Sequence, residues 1–170
     1  MGEKLFGATD EYYAVQFHMH AGSEHTIDGV RHDLEMHTVH YSKDSSNPGD
    51  VIAAAVGIMF SVDKYTSDLS WAEQKLVDTF FDGLKWEKLD GTLTDKEGDT
   101  SGVDFNSAEA THQWSVDMVT YGDLMQMVDS NNRWVYKGSV TTPPCATYVY
   151  WNVLSTIYPI SQKHLDLFKA

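Results

Sequence analysis

Two stretches of this chain alternate with a period of two, and both carry histidine on the alternation. Residues 12–20 (YYAVQFHMH) and 33–41 (DLEMHTVHY) interleave polar side chains with aromatic and aliphatic ones, which predicts two strands. Side chains at i and i+2 leave a strand on the same face. Gln16, His18 and His20 therefore share one face, and Glu35, His37 and Val39 share another. Paired as neighbours, the two strands can bring His37 to His18 and His20. Three neutral imidazoles converging from rigid strands are the ligand set of a catalytic zinc whose fourth position is left to water. A metal-bound imidazole usually gives its other N–H to a carboxylate, amide or carbonyl. Gln16 and Glu35 are placed to take it.

The chain has eight histidines, and six of them (His18, His20, His25, His32, His37 and His40) crowd this region. A lone histidine more often fills a surface or core position than a metal site, and His32, His112 and His164 read that way. His-x-His alone leaves two metal-binding families open. His18-x-His20-x-x-x-Glu24 followed by Gly29 also fits the first metal motif of cupins, in which Glu24 would be a ligand and a later histidine would complete the set.

The rest of the chain predicts a strand-rich single domain. Residues 21–31 read as a turn-rich connection, 42–50 and 89–107 as polar loops, and 51–62 as a strand buried on both faces. Ser70 and Glu73 form a capping box, and Ala72, Leu76, Phe80 and Leu84 follow at helical spacing. Residues 134–139 and 148–154 predict strands flanking a Thr-Thr-Pro-Pro turn, and 161–168 begin a short helix. The 170 residues are 42% hydrophobic and 12% aromatic, enough for one packed core and too few for two domains. A net charge of −13 excludes nucleic acid and anionic membrane surfaces as expected partners, since both need basic patches. No apolar run is long enough to span a bilayer, and residues 1–4 lack a signal-peptide pattern. Cys145 is the single cysteine, which excludes an internal disulfide and a thiolate metal site.

Four blocks decide between the metal-binding families. Gln16-Phe-His-Met-His20, Gly22-Ser-Glu-His-Thr26, Asp33-Leu-Glu-Met-His-Thr-Val-His40 and Gly138-Ser-Val-Thr-Thr-Pro-Pro-Cys145, with Trp151 beyond, resemble the α-class carbonic anhydrases in order and separation. The resemblance runs from about Gln16 to Phe168, and a cupin does not predict the Thr-Thr-Pro-Pro segment. It implies a mainly β fold: a large, mostly antiparallel twisted sheet with a few short surface helices. The implied activity is that of a zinc lyase, reversible hydration of carbon dioxide to bicarbonate and a proton by hydroxide on the metal. It assigns His18, His20 and His37 to zinc, and Gln16 and Glu35 to the support of two of these ligands. Thr141 is implied to accept from the hydroxide and to pass its own proton to Glu24. Thr142 would contact bicarbonate. Val39, Ala55, Val140 and Trp151 would form the apolar wall for carbon dioxide, and His25 and Tyr136 would be structural.

The chain departs from the family at both ends. The expectation is one domain over residues 1–170, truncated before the first zinc ligands and after Phe168. The upstream strands, a proton-shuttle histidine and the tail carbonyl that orients the second ligand would then be missing. Slower turnover follows, together with exposed edges that a protein partner could cover. An alternative is a carbonic-anhydrase-like module with weak or no activity in a structural or interaction role. In many secreted members the cysteine after Thr-Thr-Pro-Pro pairs with an upstream one, so Cys145 points to a secretory origin.

Overall fold

The computed structural model describes residues 12–42, 53–84, 121–147 and 149–169. Residues 43–50 of the expected loop over 42–50, the expected loop over 89–107, residues 51–52 of the expected strand over 51–62, His112 and Tyr148 lie outside them.

The described chain runs β1 (Tyr12–Ala21), β2 (Leu34–Ser42), β3 (Ala53–Ser61), a 3-10 turn (Val62–Lys64), α1 (Trp71–Asp82), α2 (Tyr121–Met127), β4 (Arg133–Gly138), β5 (Val149–Pro159) and α3 (Gln162–Lys169). The five strands form one mixed sheet in the order β1-β2-β3-β5-β4. All pairings are antiparallel except β3 with β5, which is parallel. The expected strands and helices sit within a few residues of these bounds. β5 runs on to Pro159, five residues past its expected end, and α2 was not expected from the sequence.

Burial explains why β3 reads as a continuous apolar run, since both its faces are covered. On one face Leu34, Met36, Ile58 and Phe60 pack against Val77, Phe80 and Phe81 of α1, Leu124 of α2 and Leu165 of α3. On the other, Ala53, Ala55 and Met59 of β3 meet Val149, Trp151 and Val153 of β5. Three helices thus back one side of the sheet, and the histidines stand on the other. β2 shows the division residue by residue: Leu34 and Met36 go to the helices, Glu35 and His37 to the opposite face, all of them buried.

Register then aligns the site. His18 lies opposite His37, and His20 opposite Glu35. A bulge between Ala14 and Gln16 leaves Val15 out of the pairing and sets Gln16 opposite Val39. Val39 continues across the sheet to Ala55, Trp151 and Tyr136.

Candidate metal centre

The β1–β2 connection is folded back over β2. Asp28 (φ 52°) and Gly29 (φ 78°) turn it, with Ile27 and Val30 bonded to each other on either side. Two successive positive φ values are the type I′ hairpin geometry that Asp-Gly favours. Buried Ser23 locks the fold: its hydroxyl donates to the His25 carbonyl (2.6 Å) and accepts from the His32 N–H (2.9 Å). This connection delivers Glu24 and His25 to the histidine face.

The rings of His18, His20 and His37 pack at centroid distances of 5.0, 5.1 and 4.7 Å. One ring nitrogen of each lies within 4.8 Å of the others, close enough to share one ion. Outer contacts fix two of the rings. His18 Nδ1 donates to Gln16 Oε1 at 2.9 Å, leaving Nε2 for a metal. His37 Nε2 donates to Glu35 Oε1 at 2.9 Å, leaving Nδ1. Desolvation and the neighbouring rings of His37 and His20 lower the His18 pKa to about 3, so it is neutral at pH 7 as a ligand must be. The donor set fits zinc: three clustered imidazoles, two of them oriented by bonds from outside.

Glu35 is fully buried, and burial alone would push its carboxyl up. Hydrogen bonds from the His25 ring (2.5 Å), His37 and the His25 backbone N–H (2.9 Å) outweigh that and hold it below the usual carboxylate range. His25 Nε2 in turn pairs with the Tyr136 hydroxyl at 2.7 Å. Burial, Glu35 and Glu24 raise the Tyr136 pKa, so its O–H stays protonated. Trp151 lies against both His37 (4.6 Å between centroids) and His25 (4.9 Å), and its indole N–H is tied to the Ser139 carbonyl at 3.0 Å.

Val39 and Ala55 lie in one sheet row, and Val140 packs against the Trp151 cluster. Thr141 and Thr142 sit in the turn closed by Val140 N–H to the Ala146 carbonyl and Cys145 N–H to the Thr142 carbonyl. Thr141 is exposed and Thr142 half-buried. Glu24 does not hydrogen-bond Thr141. Its Oε2 is buried without a hydrogen-bond partner, 3.9 Å from His37 Nδ1, and its Oε1 is 3.6 Å from His20 Nδ1. A carboxylate thus stands beside the second expected ligand. Cys145 is an exposed free thiol among the described residues. His32 and His164 lie apart from the cluster, His164 being buried between Ser161 and Asp82.

One residue of the centre was not singled out by sequence. Gly57 lies opposite His37 in the sheet, and a Cβ there would meet Glu35 Oε1 at 2.8 Å. A glycine inside an apolar strand is the signal that could have found it.

Comparison with known proteins points to one family. The sequence profile of the eukaryotic-type carbonic anhydrases matches residues 2–84 and 100–170. The chain is 29% identical over 172 residues to a putative carbonic anhydrase 3 of Caenorhabditis elegans, covering 96% of this chain and 56% of that one. It is 30% identical over 168 residues to a carbonic anhydrase of Nostoc sp., covering 98% and 50%. Among solved structures, a halotolerant carbonic anhydrase from Dunaliella salina superposes with a TM-score of 0.63 at 28% identity, over 98% of this chain and 53% of its own. The chain spans about half the length of the curated relatives it matches. With its profile match over most of its length, the chain belongs to the eukaryotic-type carbonic anhydrase family.

Proposed function

We propose that this chain holds a zinc ion through His18, His20 and His37 and hydrates carbon dioxide reversibly to bicarbonate and a proton. The observation that carries the reading is the convergence of three imidazole nitrogens within 4.8 Å of one another. The outer bonds of His18 to Gln16 and His37 to Glu35 support it. Zinc would supply a Lewis acid that brings the pKa of its water to about 7.

The protein's own groups then bind and orient. Trp151, Val140, Val39 and Ala55 offer an apolar wall, sufficient for a substrate without charge. Thr142, next to Thr141 in the Thr-Thr-Pro-Pro turn, is proposed to contact bicarbonate. Thr141 is proposed to donate its hydroxyl proton to Glu24, so that it can only accept at the reacting oxygen and thereby orients it. Because Glu24 faces His20 and His37, this relay requires the carboxylate to turn toward Thr141.

That same orientation favours a second reading, a carbonic-anhydrase-like module with weak or no turnover in a structural role. One preparation separates the two. Zinc stoichiometry is measured on the purified chain, and carbon dioxide hydration is followed with and without a sulfonamide. One zinc with sulfonamide-sensitive turnover supports the first reading, and one zinc without turnover supports the second. His37→Ala is expected to abolish zinc binding. Thr141→Ala is expected to keep zinc and lose roughly 100-fold in kcat/KM, the scale of a misplaced reacting group. An unchanged rate in Thr141→Ala would sink the relay.

A further inference from the structure

The hydrogen bonds around Glu35 allow one set of proton positions. Glu35 is an ionised acceptor, so the His37 ring donates through Nε2 and the His25 ring through Nδ1. With Nδ1 donating to Glu35, His25 offers its Nε2 lone pair to the Tyr136 O–H, the donor that meets it at 2.7 Å. Two donor chains, Tyr136→His25→Glu35 and His37→Glu35, converge on this carboxylate and link a half-exposed phenol on β4 to a buried imidazole on β2. The Tyr136–His25 bond joins residues 111 apart in sequence.

Glu35 needs room as well as partners. A Cβ at position 57 would sit 2.8 Å from Glu35 Oε1 and 3.7 Å from Val153. A carboxylate at the end of a free side chain could swing aside. This one accepts three hydrogen bonds and is fully buried, so it has nowhere to go.

We propose that Gly57 and Tyr136 are positioning residues for the metal centre: Gly57 leaves the space that the Glu35 carboxylate fills, and Tyr136, through His25, holds that carboxylate against His37. The assignment rests on the reading of His37 as a zinc ligand. Its consequence is that zinc affinity depends on a hydroxyl that never approaches the ion. Tyr136→Phe isolates that hydroxyl, because the ring keeps its stacking on Trp151 (6.4 Å, 13°).

Zinc affinity is measured by competition with a chromophoric chelator on the full chain, and apo-protein unfolding is followed in parallel. Tyr136→Phe is expected to weaken zinc about 10-fold, the low end for a partner beyond the ligands. Gly57→Ala is expected to weaken it further, with a changed visible spectrum of the cobalt-substituted protein. The deciding comparison is made in a Glu35→Gln background. There Tyr136→Phe should cost nothing more, since the residue acts through Glu35. An unchanged affinity in Tyr136→Phe overturns the proposal, as does an equal loss in both backgrounds, which is what a merely structural tyrosine would give. A wild-type chain that takes up no zinc overturns the metal reading itself, a result distinct from either.

Discussion

A single carboxylate shows how much one side chain does in this sheet. Asp33 precedes β2 and accepts from the Ser61 hydroxyl (2.7 Å) and the Val62 N–H (2.8 Å), fastening the start of one strand to the end of another. Burial pushes its carboxyl up, but these two bonds prevail and leave its pKa below the ordinary value. A lowered pKa means that the stabilisation is complete above the unfolded carboxyl's value near 3.9 and is lost as pH falls through the folded one. Asp33→Asn is therefore expected to cost about 1 kcal/mol at pH 7, with the gap to wild type closing below about pH 4. Urea unfolding at pH 7 and pH 3 tests this, and a gap of constant size would refute it. At this scale the sequence was legible where spacing is local. The shared faces of Gln16, His18 and His20, and of Glu35 and His37, followed from the two-residue period. The His25–Tyr136 bond did not, because no local pattern links positions 111 apart. The resemblance marked both as structural without naming the contact.

Elements were read as well as their local signals allowed. The capping box at the start of α1 is present in full, with the Ser70 hydroxyl accepting from Glu73 N–H (3.3 Å) and Glu73 Oε2 accepting from Ser70 N–H (2.9 Å). Ser70→Ala is expected to lower stability by about 1 kcal/mol, read as a shifted urea midpoint with an unchanged slope. A shift below about 0.3 kcal/mol would show that packing of Phe80 and Phe81 alone fixes the start of the helix. α2 carries no such signal. It is seven residues long, contains Gly122, and fully buries only Leu124. What holds it is tertiary: Tyr121 stacks on Phe17 (6.2 Å, 7°) and its hydroxyl meets Thr38 Oγ1 at 3.2 Å. Short helices made by their neighbours are invisible to propensity. The parallel pairing of β3 with β5 is likewise a long-range choice, and only the family resemblance anticipated a large sheet.

For the molecule as a whole, the metal reading makes a claim on stability that needs no activity. Three imidazoles crowd one face, one ring nitrogen of each within 4.8 Å of the others. An ion that binds this arrangement and not the unfolded chain stabilises the fold by mass action, by about 2.7 kcal/mol at a free concentration 100 times Kd. For a domain of this size that corresponds to a rise in Tm of roughly 5–10 °C. The net charge of −13 gives a competing explanation, since any dication could relieve self-repulsion. The two causes separate by ligand chemistry and by screening. Imidazole nitrogen binds zinc and not magnesium, and charge relief is weakened by salt while coordination is much less so. Zinc is therefore expected to raise Tm at 0.5 M sodium chloride, magnesium at the same concentration to leave it unchanged, and His37→Ala to abolish the zinc effect. An equal response to both ions, or a zinc response retained in His37→Ala, would assign the stabilisation to the acidic surface and not to the histidine cluster.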